Sequence, residues 1–167
     1  MSRQRPLPTA GTEISNAASR YDLHDQIGYQ LRVANQIAVE LFSRIYDPVL
    51  GRSQITTAQF AVLSTVWEQG GISHTELAKY VSMDMPTLNG VLKRLEQRGL
   101  ILTKVSGEDK RRRTVFLSAA GRRIAAYLRA SGESVSERIL APLCQADRIR
   151  LSQGLAAFIA AHRPECG

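Results

Sequence analysis

Three helix-start signals follow closely on one another between residues 56 and 86, and this spacing constrains the fold more than any other feature of the chain. In the first two, a hydroxyl residue precedes a Gln or Glu by three positions, the capping-box pattern in which each side chain bonds the other's backbone N–H. In the third, an aspartate precedes a proline that suits the first turn of a helix, where its missing N–H has no partner in any case. The signals are Thr56 with Gln59, Ser73 with Glu76, and Asp84 with Pro86.

Glycines mark the ends of two of these helices. Gly70 follows the first helix and Gly99 follows the third, at positions where a left-handed C-terminal residue is common. Two β-prone runs, LILTKVS and RRTVFLS, come next and predict a two-stranded hairpin with a charged tip. Short helices joined by a tight turn and followed by such a hairpin have the outline of a winged helix-turn-helix. The predicted helices are at about 56–69, 73–81 and 85–98.

The third of these helices has two chemically different faces. Its apolar residues recur at the spacing of a single buried stripe. Its other face carries small polar and basic side chains, which suit base edges and phosphates in a major groove about 12 Å wide. The sequence therefore predicts that this second face contacts DNA. The apolar residues are Leu88, Val91, Leu92 and Leu95, and the predicted DNA-binding residues are Thr87, Asn89, Gly90, Lys93 and Arg94.

Positive charge is concentrated in the same region. The chain of 167 residues has a formal net charge of +7, which favours an anionic partner. Between Asp84 and Arg113, eight basic residues stand against four acidic ones, which leaves +4 of that charge. Neutralising phosphates with these residues would release counterions, so DNA binding is predicted to depend strongly on salt.

The two ends of the folded chain predict helices that need a partner. Apolar residues from Leu23 to Ile45 recur every three or four positions, which predicts a helix of about 25 residues that ends before Asp47 and Pro48. Ser118 begins a further helix that runs towards residue 138, and Pro142 interrupts it. The apolar residues of the last helix, at about 145–162, are Ile149, Leu155, Phe158 and Ile159.

The segments TTAQFAVL, PTLNGVLKRLEQRGLI and DKRRRTVFLSAAG resemble the MarR family of bacterial transcription regulators. The family's wing signature is Asp-x-Arg followed by Leu-Thr-x-x-Gly at fixed spacing, and Ser118 replaces the commoner threonine. The resemblance covers about residues 25–160. The matching positions are Asp109, Arg111, Leu117, Ser118 and Gly121.

This resemblance implies a mainly α-helical fold with a small β-hairpin wing, in which N- and C-terminal helices form the dimer. It implies a single domain over 20–162, with dimerisation helices at 20–47 and 139–162 and the winged helix-turn-helix at 55–118. Residues 1–19 are predicted to be a flexible arm and 163–167 a frayed tail. The expected protein is a homodimeric repressor that binds a pseudo-palindromic operator in double-stranded DNA.

The resemblance also implies roles for the wing. Arg111 is expected to reach the minor groove, with Asp109 orienting it through a charge-assisted hydrogen bond. Arg112 and Arg113 are further predicted DNA contacts. If strand alternation persists, one of these two points towards phosphate and the other away.

Many regulators of this kind are released from DNA by a small effector, here expected to be an aromatic carboxylate. Its site would need a cation for the carboxylate and aromatic walls for the ring. The residues available are His24, Tyr29 and Arg32 on the first helix and Phe60 and Trp67 on the second. Four of the five have an ordinary alternative: a hydrogen bond at the surface or between helices for His24, an ion pair for Arg32, and core packing for both Phe60 and Trp67.

Other functions are less well supported. No catalytic constellation or glycine-rich phosphate loop occurs, so the chain is predicted not to be an enzyme and to need no cofactor or metal. A redox-responsive regulator using Cys144 or Cys166 and a nonspecific architectural DNA-binding protein remain the alternatives. Because no signal-peptide pattern or run of about 18 apolar residues is present, a cytoplasmic bacterial protein is expected, associated with the nucleoid when bound and with no membrane partner.

Overall fold

The chain folds mainly into α-helices with one small antiparallel sheet, as the sequence predicted. The computed structural model describes residues 21–50, 55–105 and 113–162. The chain divides into two compact units, residues 1–37 and 38–167. No helix in the described ranges combines the length and apolarity needed to cross a lipid bilayer. The elements are α1 (Ile27–Leu50), α2 (Thr57–Gln69), β1 (Ile72–Ser73), α3 (His74–Val81), α4 (Met85–Gln97), β2 (Ile101–Val105), β3 (Arg113–Leu117), α5 (Ala119–Ala130), α6 (Gly132–Leu140) and α7 (Gln145–His162).

Both predicted capping boxes are confirmed. Thr56 and Gln59 bond each other's backbone N–H groups at the start of α2, and Ser73 and Glu76 do the same at the start of α3. Helix α2 ends at Gly70, whose φ of 68° lies in the left-handed region that glycine adopts without strain. These local bonds fix where each helix begins and ends.

The turn between α3 and α4 depends on a residue other than glycine in a left-handed conformation. Ser82 has a φ of 53°, and its N–H donates to the carbonyls of Ala78 and Lys79. Met83 then donates its N–H to Ala78 at 3.0 Å. The turn therefore closes the last carbonyls of α3 immediately before Asp84 caps α4.

The sheet has three strands in the order β1-β3-β2. Strands β2 and β3 form the predicted hairpin, with Ile101 opposite Leu117. Strand β1 pairs with the other side of β3 and places Ile72 opposite Val115. The sequence did not predict β1, because two residues are too few to show the alternation of a strand. Through β1, the wing is hydrogen-bonded to the segment that joins α2 to α3.

The core of the winged helix-turn-helix lies under α4. The predicted apolar stripe is confirmed, because each of its four residues is no more than 3% exposed. Burying such a side chain contributes about 1.5–3 kcal/mol, so this stripe fixes how α4 is rotated about its axis. The four residues are Leu88, Val91, Leu92 and Leu95.

An aromatic cluster joins the second half of α1 to α2 and α5. The ring centroids of Phe42 and Phe60 are 5.6 Å apart, and those of Phe42 and Tyr46 are 4.6 Å apart. The Tyr46 hydroxyl donates a 2.9 Å hydrogen bond to the carbonyl of Leu128. Burial, followed by the nearby Tyr127, raises the pKa of Tyr46, so this hydroxyl keeps its proton.

Two helix boundaries differ from the prediction. Helix α1 begins at Ile27 and continues through Pro48 to Leu50, because a proline close to a helix end removes one hydrogen bond without ending the helix at once. The single helix expected from Ser118 to about 138 is interrupted at Ser131. There the serine hydroxyl donates to the Tyr127 carbonyl, and Gly132 follows, a pair that commonly breaks helices.

Candidate nucleic-acid interface and neighbouring crevice

Helix α4 starts at a strongly held cap. The carboxylate of Asp84 accepts the backbone N–H of Thr87 at 2.7 Å, and Pro86 occupies the first turn. Hydrogen bonds from the side chain and then the backbone of Thr87 lower the pKa of Asp84. The cap therefore stays ionised at neutral pH, where a negative charge also suits the positive end of the helix dipole.

The structure brings the predicted residues of α4 together on one exposed face. Thr87, Asn89, Lys93 and Arg94 are exposed, and Gly90 is half-buried among them. A Cβ atom on Gly90 would lie 3.7 Å from Nη1 of Arg94, an ordinary contact distance. This face offers hydroxyl, amide and cationic groups on a rigid helix whose other side is anchored in the core.

The described part of the wing adds basic residues near this helix. Arg113 is exposed at the start of β3, opposite Val105 of β2. Lys104 stands over the ring of Phe116, with Nζ 5.3 Å from the ring centroid. Asp109, Arg111 and Arg112 lie outside the described residues, so their roles stay predictions.

His74 lies where the wing, α3 and α4 meet, and no motif in the sequence marks it as a site residue. It follows Ser73, which pairs with Thr114, so the strand register brings His74 beside Arg113. Its Nε2 atom is buried and has no hydrogen-bond partner among the described residues. Burial first and Arg113 second lower the pKa of His74, while Glu96 of α4 opposes them. His74 is therefore a titratable group at the junction between the wing and the helix-turn-helix.

Ser118 joins the start of α5 to the end of α4. As predicted, it caps α5 by accepting the N–H of Gly121 at 3.0 Å. Its hydroxyl also donates to the carbonyl of Gly99 at 2.6 Å, and its N–H donates to Leu100 at 3.1 Å. The position of α5 is thus tied to the turn that follows α4.

A crevice of about 550 Å³ lies beside the winged helix-turn-helix, and α2, α5, α6 and α7 supply its walls. Phe60 is its aromatic wall, and Ser64 lies one turn further along α2. A volume of this size suits a small organic molecule. The charged residues of its walls are Arg129, Glu133, Glu137 and Arg148.

The two arginines of the crevice are already bonded to the protein. Nη1 of Arg129 is 2.6 Å from Oε1 of Glu68, an ion pair that links α5 to α2. Arg148 donates from Nε to the carbonyl of Leu143 at 2.9 Å and from Nη2 to that of Ala141 at 3.2 Å. These bonds hold the turn between α6 and α7 against the start of α7.

The residues predicted to bind a ligand belong to both compact units. On one unit, the His24 and Tyr29 rings are 5.1 Å apart edge to face, and Cζ of Arg32 lies 5.1 Å from the centroid of Tyr29. On the other unit, Phe60 lines the crevice, whereas Trp67 is 40% exposed and is absent from the crevice walls. The site residues therefore remain a prediction, and Phe60 is the member of the set that lines the crevice described above.

Cys144 is exposed and immediately precedes α7, where its Sγ atom donates to Oδ2 of Asp147 at 3.2 Å. Cys166 lies outside the described residues. Within the described ranges, no group of three His, Cys, Asp or Glu residues has the geometry to hold a metal ion.

Comparison with known proteins gives a consistent result. The sequence model of the MarR family matches residues 55–112. The chain is 32% identical over 127 residues to the HTH-type transcriptional regulator TtmR of Methylorubrum extorquens. That match covers 70% of this chain and 65% of TtmR, so the chain spans slightly less than two thirds of that relative.

Solved structures extend the similarity over more of the chain. A structure of Bordetella bronchiseptica BpsR, described as explaining how 6-hydroxynicotinic acid regulates its DNA binding, is 28% identical with a TM-score of 0.71 and covers 83% of this chain and 96% of that one. The transcriptional repressor CouR, bound to a 23-mer DNA duplex, is 29% identical with a TM-score of 0.70. That match covers 81% of this chain and 94% of CouR.

Proposed function

The chain belongs to the MarR family of winged helix-turn-helix transcriptional regulators, and from this membership we propose that it is a homodimeric repressor released from its operator by a small effector. Members of this family are transcriptional regulators and not enzymes. We assign it to the bacterial cytoplasm, with double-stranded DNA as its main partner.

The exposed face of α4 is the observation that carries this proposal. Its polar and basic side chains stand on a helix whose opposite stripe is fixed in the core. Asn89 and Thr87 are proposed to read base edges, and Lys93 and Arg94 to contact phosphates. Gly90 lets the backbone of α4 approach the DNA.

The wing is proposed to contact the neighbouring minor groove. Arg113 is exposed at the base of the hairpin. Arg111 and Arg112 are proposed to extend this contact at the tip, with Asp109 orienting Arg111. The arginine in a narrow minor groove would read DNA shape more than individual bases.

The proposed dimer interface includes α7. None of its 18 residues is buried, and its large apolar side chains are between 41% and 47% exposed. A helix with this much exposed apolar surface is not stable alone in water. A second copy of the chain would cover it and place two α4 helices on the halves of a pseudo-palindrome. These side chains are Ile149, Leu151, Leu155, Phe158 and Ile159.

The effector is proposed to enter the crevice between α2 and α6. The aromatic ring of Phe60, the charged walls and the volume of about 550 Å³ suit a small aromatic molecule. The structure of the related BpsR concerns 6-hydroxynicotinic acid, a compound of this size. To release DNA, the effector must bind the state that does not fit the operator more tightly than the state that does.

Selection of bound sequences from a pool of randomised duplexes tests the proposal. The full-length chain is expected to enrich an inverted repeat with one half-site for each α4 helix. A Thr87→Ala, Asn89→Ala double variant serves as the matched control and is expected to lose the enrichment at the base pairs that these two side chains are proposed to read. Equal retention of all sequences by the wild-type chain would contradict the proposal and favour a nonspecific architectural DNA-binding protein.

A further inference from the structure

The positive charges of the crevice are already engaged by the protein. Arg129 forms its ion pair with Glu68, and Arg148 donates to two backbone carbonyls of the turn before α7. An anionic ligand at Arg129 would have to compete with a carboxylate 2.6 Å away. Arg129 is therefore neutralised by Glu68, and Arg148 is held against the backbone of the turn before α7.

The negative charges of the crevice have no such partners. Glu133 and Glu137 are one turn apart on α6, and neither carboxylate forms an ion pair or a hydrogen bond with the described residues. Like charges at this spacing repel each other along a helix. An ammonium group placed between them would relieve the repulsion and donate hydrogen bonds to both carboxylates.

Two further groups of the crevice point to the same ligand chemistry. The buried hydroxyl oxygen of Ser64 has no hydrogen-bond partner among the described residues and is a potential acceptor for a donor in the crevice. Phe60 is fixed on one side by Phe42 and Tyr46, so its ring is a rigid wall. Aromatic faces attract both flat rings and cations.

We propose that the crevice binds an aromatic ligand bearing a protonated amine, with the ring against Phe60 and the ammonium group between Glu133 and Glu137. The inference rests on the proposed function only in treating this crevice as the effector site. It departs from the aromatic carboxylate expected from the sequence, because the carboxylates and not the arginines of the crevice are left without partners. The ammonium group donates its hydrogen bonds to the two carboxylates and, where it reaches, to the Ser64 hydroxyl.

Binding of three matched probes to the full-length chain tests this inference without DNA. Benzylamine carries the ammonium group, benzyl alcohol is its neutral counterpart, and benzoate carries the opposite charge. Isothermal titration or ligand-observed NMR at pH 7 would give the three dissociation constants. Benzylamine is expected to bind saturably and at least about tenfold more tightly than either of the others, because its hydrogen bonds to carboxylates are charge-assisted.

A Glu133→Gln, Glu137→Gln double variant should lose this preference for benzylamine. Both positions are exposed, so the variant is expected to fold, which its thermal unfolding curve would verify. Asp84→Asn is the control, because it removes a carboxylate from the cap of α4 and asparagine still caps a helix. Its preference for benzylamine should equal that of the wild type.

Three results would overturn the inference: no saturable binding of benzylamine, tighter binding of benzoate, or an unchanged preference in the double variant. None of them bears on the selection of an operator, which depends on α4. A chain that enriches an inverted repeat but prefers benzoate would keep its proposed function and lose this inference.

Discussion

A Cβ atom on Gly121 would lie 1.9 Å from the carbonyl oxygen of Leu100. That carbonyl belongs to the backbone, so it cannot move aside as the end of a flexible side chain could. Helix α5 therefore docks directly on the turn after α4, and only a residue without a side chain permits this approach. The glycine of the family's wing signature thus has a steric reason in this chain.

Gly121→Ala is expected to lower the free energy of unfolding by about 1–3 kcal/mol, the usual range for overpacking a tight contact. Urea unfolding followed by circular dichroism would measure it. Gly90→Ala is the matched control, because its Cβ would meet only Arg94 at 3.7 Å and alanine favours a helix interior by about 0.5–1 kcal/mol. Equal stability of the two variants would contradict the contact between α5 and the Leu100 backbone.

Lys93→Gln and Arg94→Gln are expected to weaken binding to all DNA sequences by similar factors. Log affinity falls with log salt concentration, and each lost phosphate contact should make this negative slope less steep by about 0.9. Fluorescence anisotropy over a series of salt concentrations would measure the slope.

Asn89→Ala should instead change the preference for one base pair of the operator, by about 1–3 kcal/mol if Asn89 reads a base edge. If Asn89→Ala weakened binding to all sequences equally, Asn89 would contact the DNA backbone and not a base edge.

The folding stability of the chain should depend on pH partly through the titration of His74. Because its pKa is lowered by burial and by Arg113, the unfolded chain binds a proton at a higher pH than the folded chain. The contribution of His74 is therefore full above its ordinary pKa of about 6.5 and is lost as the pH falls through that value towards the lower folded pKa. Thermal unfolding between pH 8 and pH 5, about 1.5 units either side of that ordinary pKa, should show a smaller loss of stability in His74→Gln than in the wild type. Superimposable profiles would show that His74 titrates alike in both states.

Phe158→Glu should dissociate the proposed dimer. A charge in a covered apolar surface lacks both water and a partner, so its burial is strongly unfavourable. Sedimentation equilibrium would report the change as a shift to the mass of a single chain. Ser152→Glu adds the same charge to the same helix at a residue outside the apolar group and should change the mass far less. If the wild-type chain were itself a monomer, the proposal that α7 forms a dimer interface would be wrong.

Much of the helix-turn-helix could be predicted because its signals are local. The bonds of Thr56 to Gln59 and of Ser73 to Glu76 span three residues, so the sequence contains both partners side by side. The stripe on α4 likewise repeats within one helix. Its burial and the exposure of the opposite face followed from periodicity alone.

The features that were not predicted depend on contacts between residues far apart in the sequence, or on competition between alternative hydrogen-bond and ion-pair partners. Strand β1 exists because Ile72 meets Val115 across the sheet. The break at Ser131 depends on a side chain competing for a backbone carbonyl in an otherwise helical pattern. The charge balance of the crevice depends on which carboxylate reaches Arg129. The spacing of four residues would favour Glu133, whereas Arg129 pairs with the distant Glu68.

The left-handed conformation of Ser82 has a consequence for how the chain presents α4. A serine in this region is strained by roughly 1–2 kcal/mol, a strain that glycine would not have. Glycine, however, would also permit many other turn geometries in the same place. The serine therefore lowers the folding stability slightly but restricts the turn between α3 and α4 to fewer backbone conformations. As a result, the angle between these two helices is fixed before the protein binds DNA.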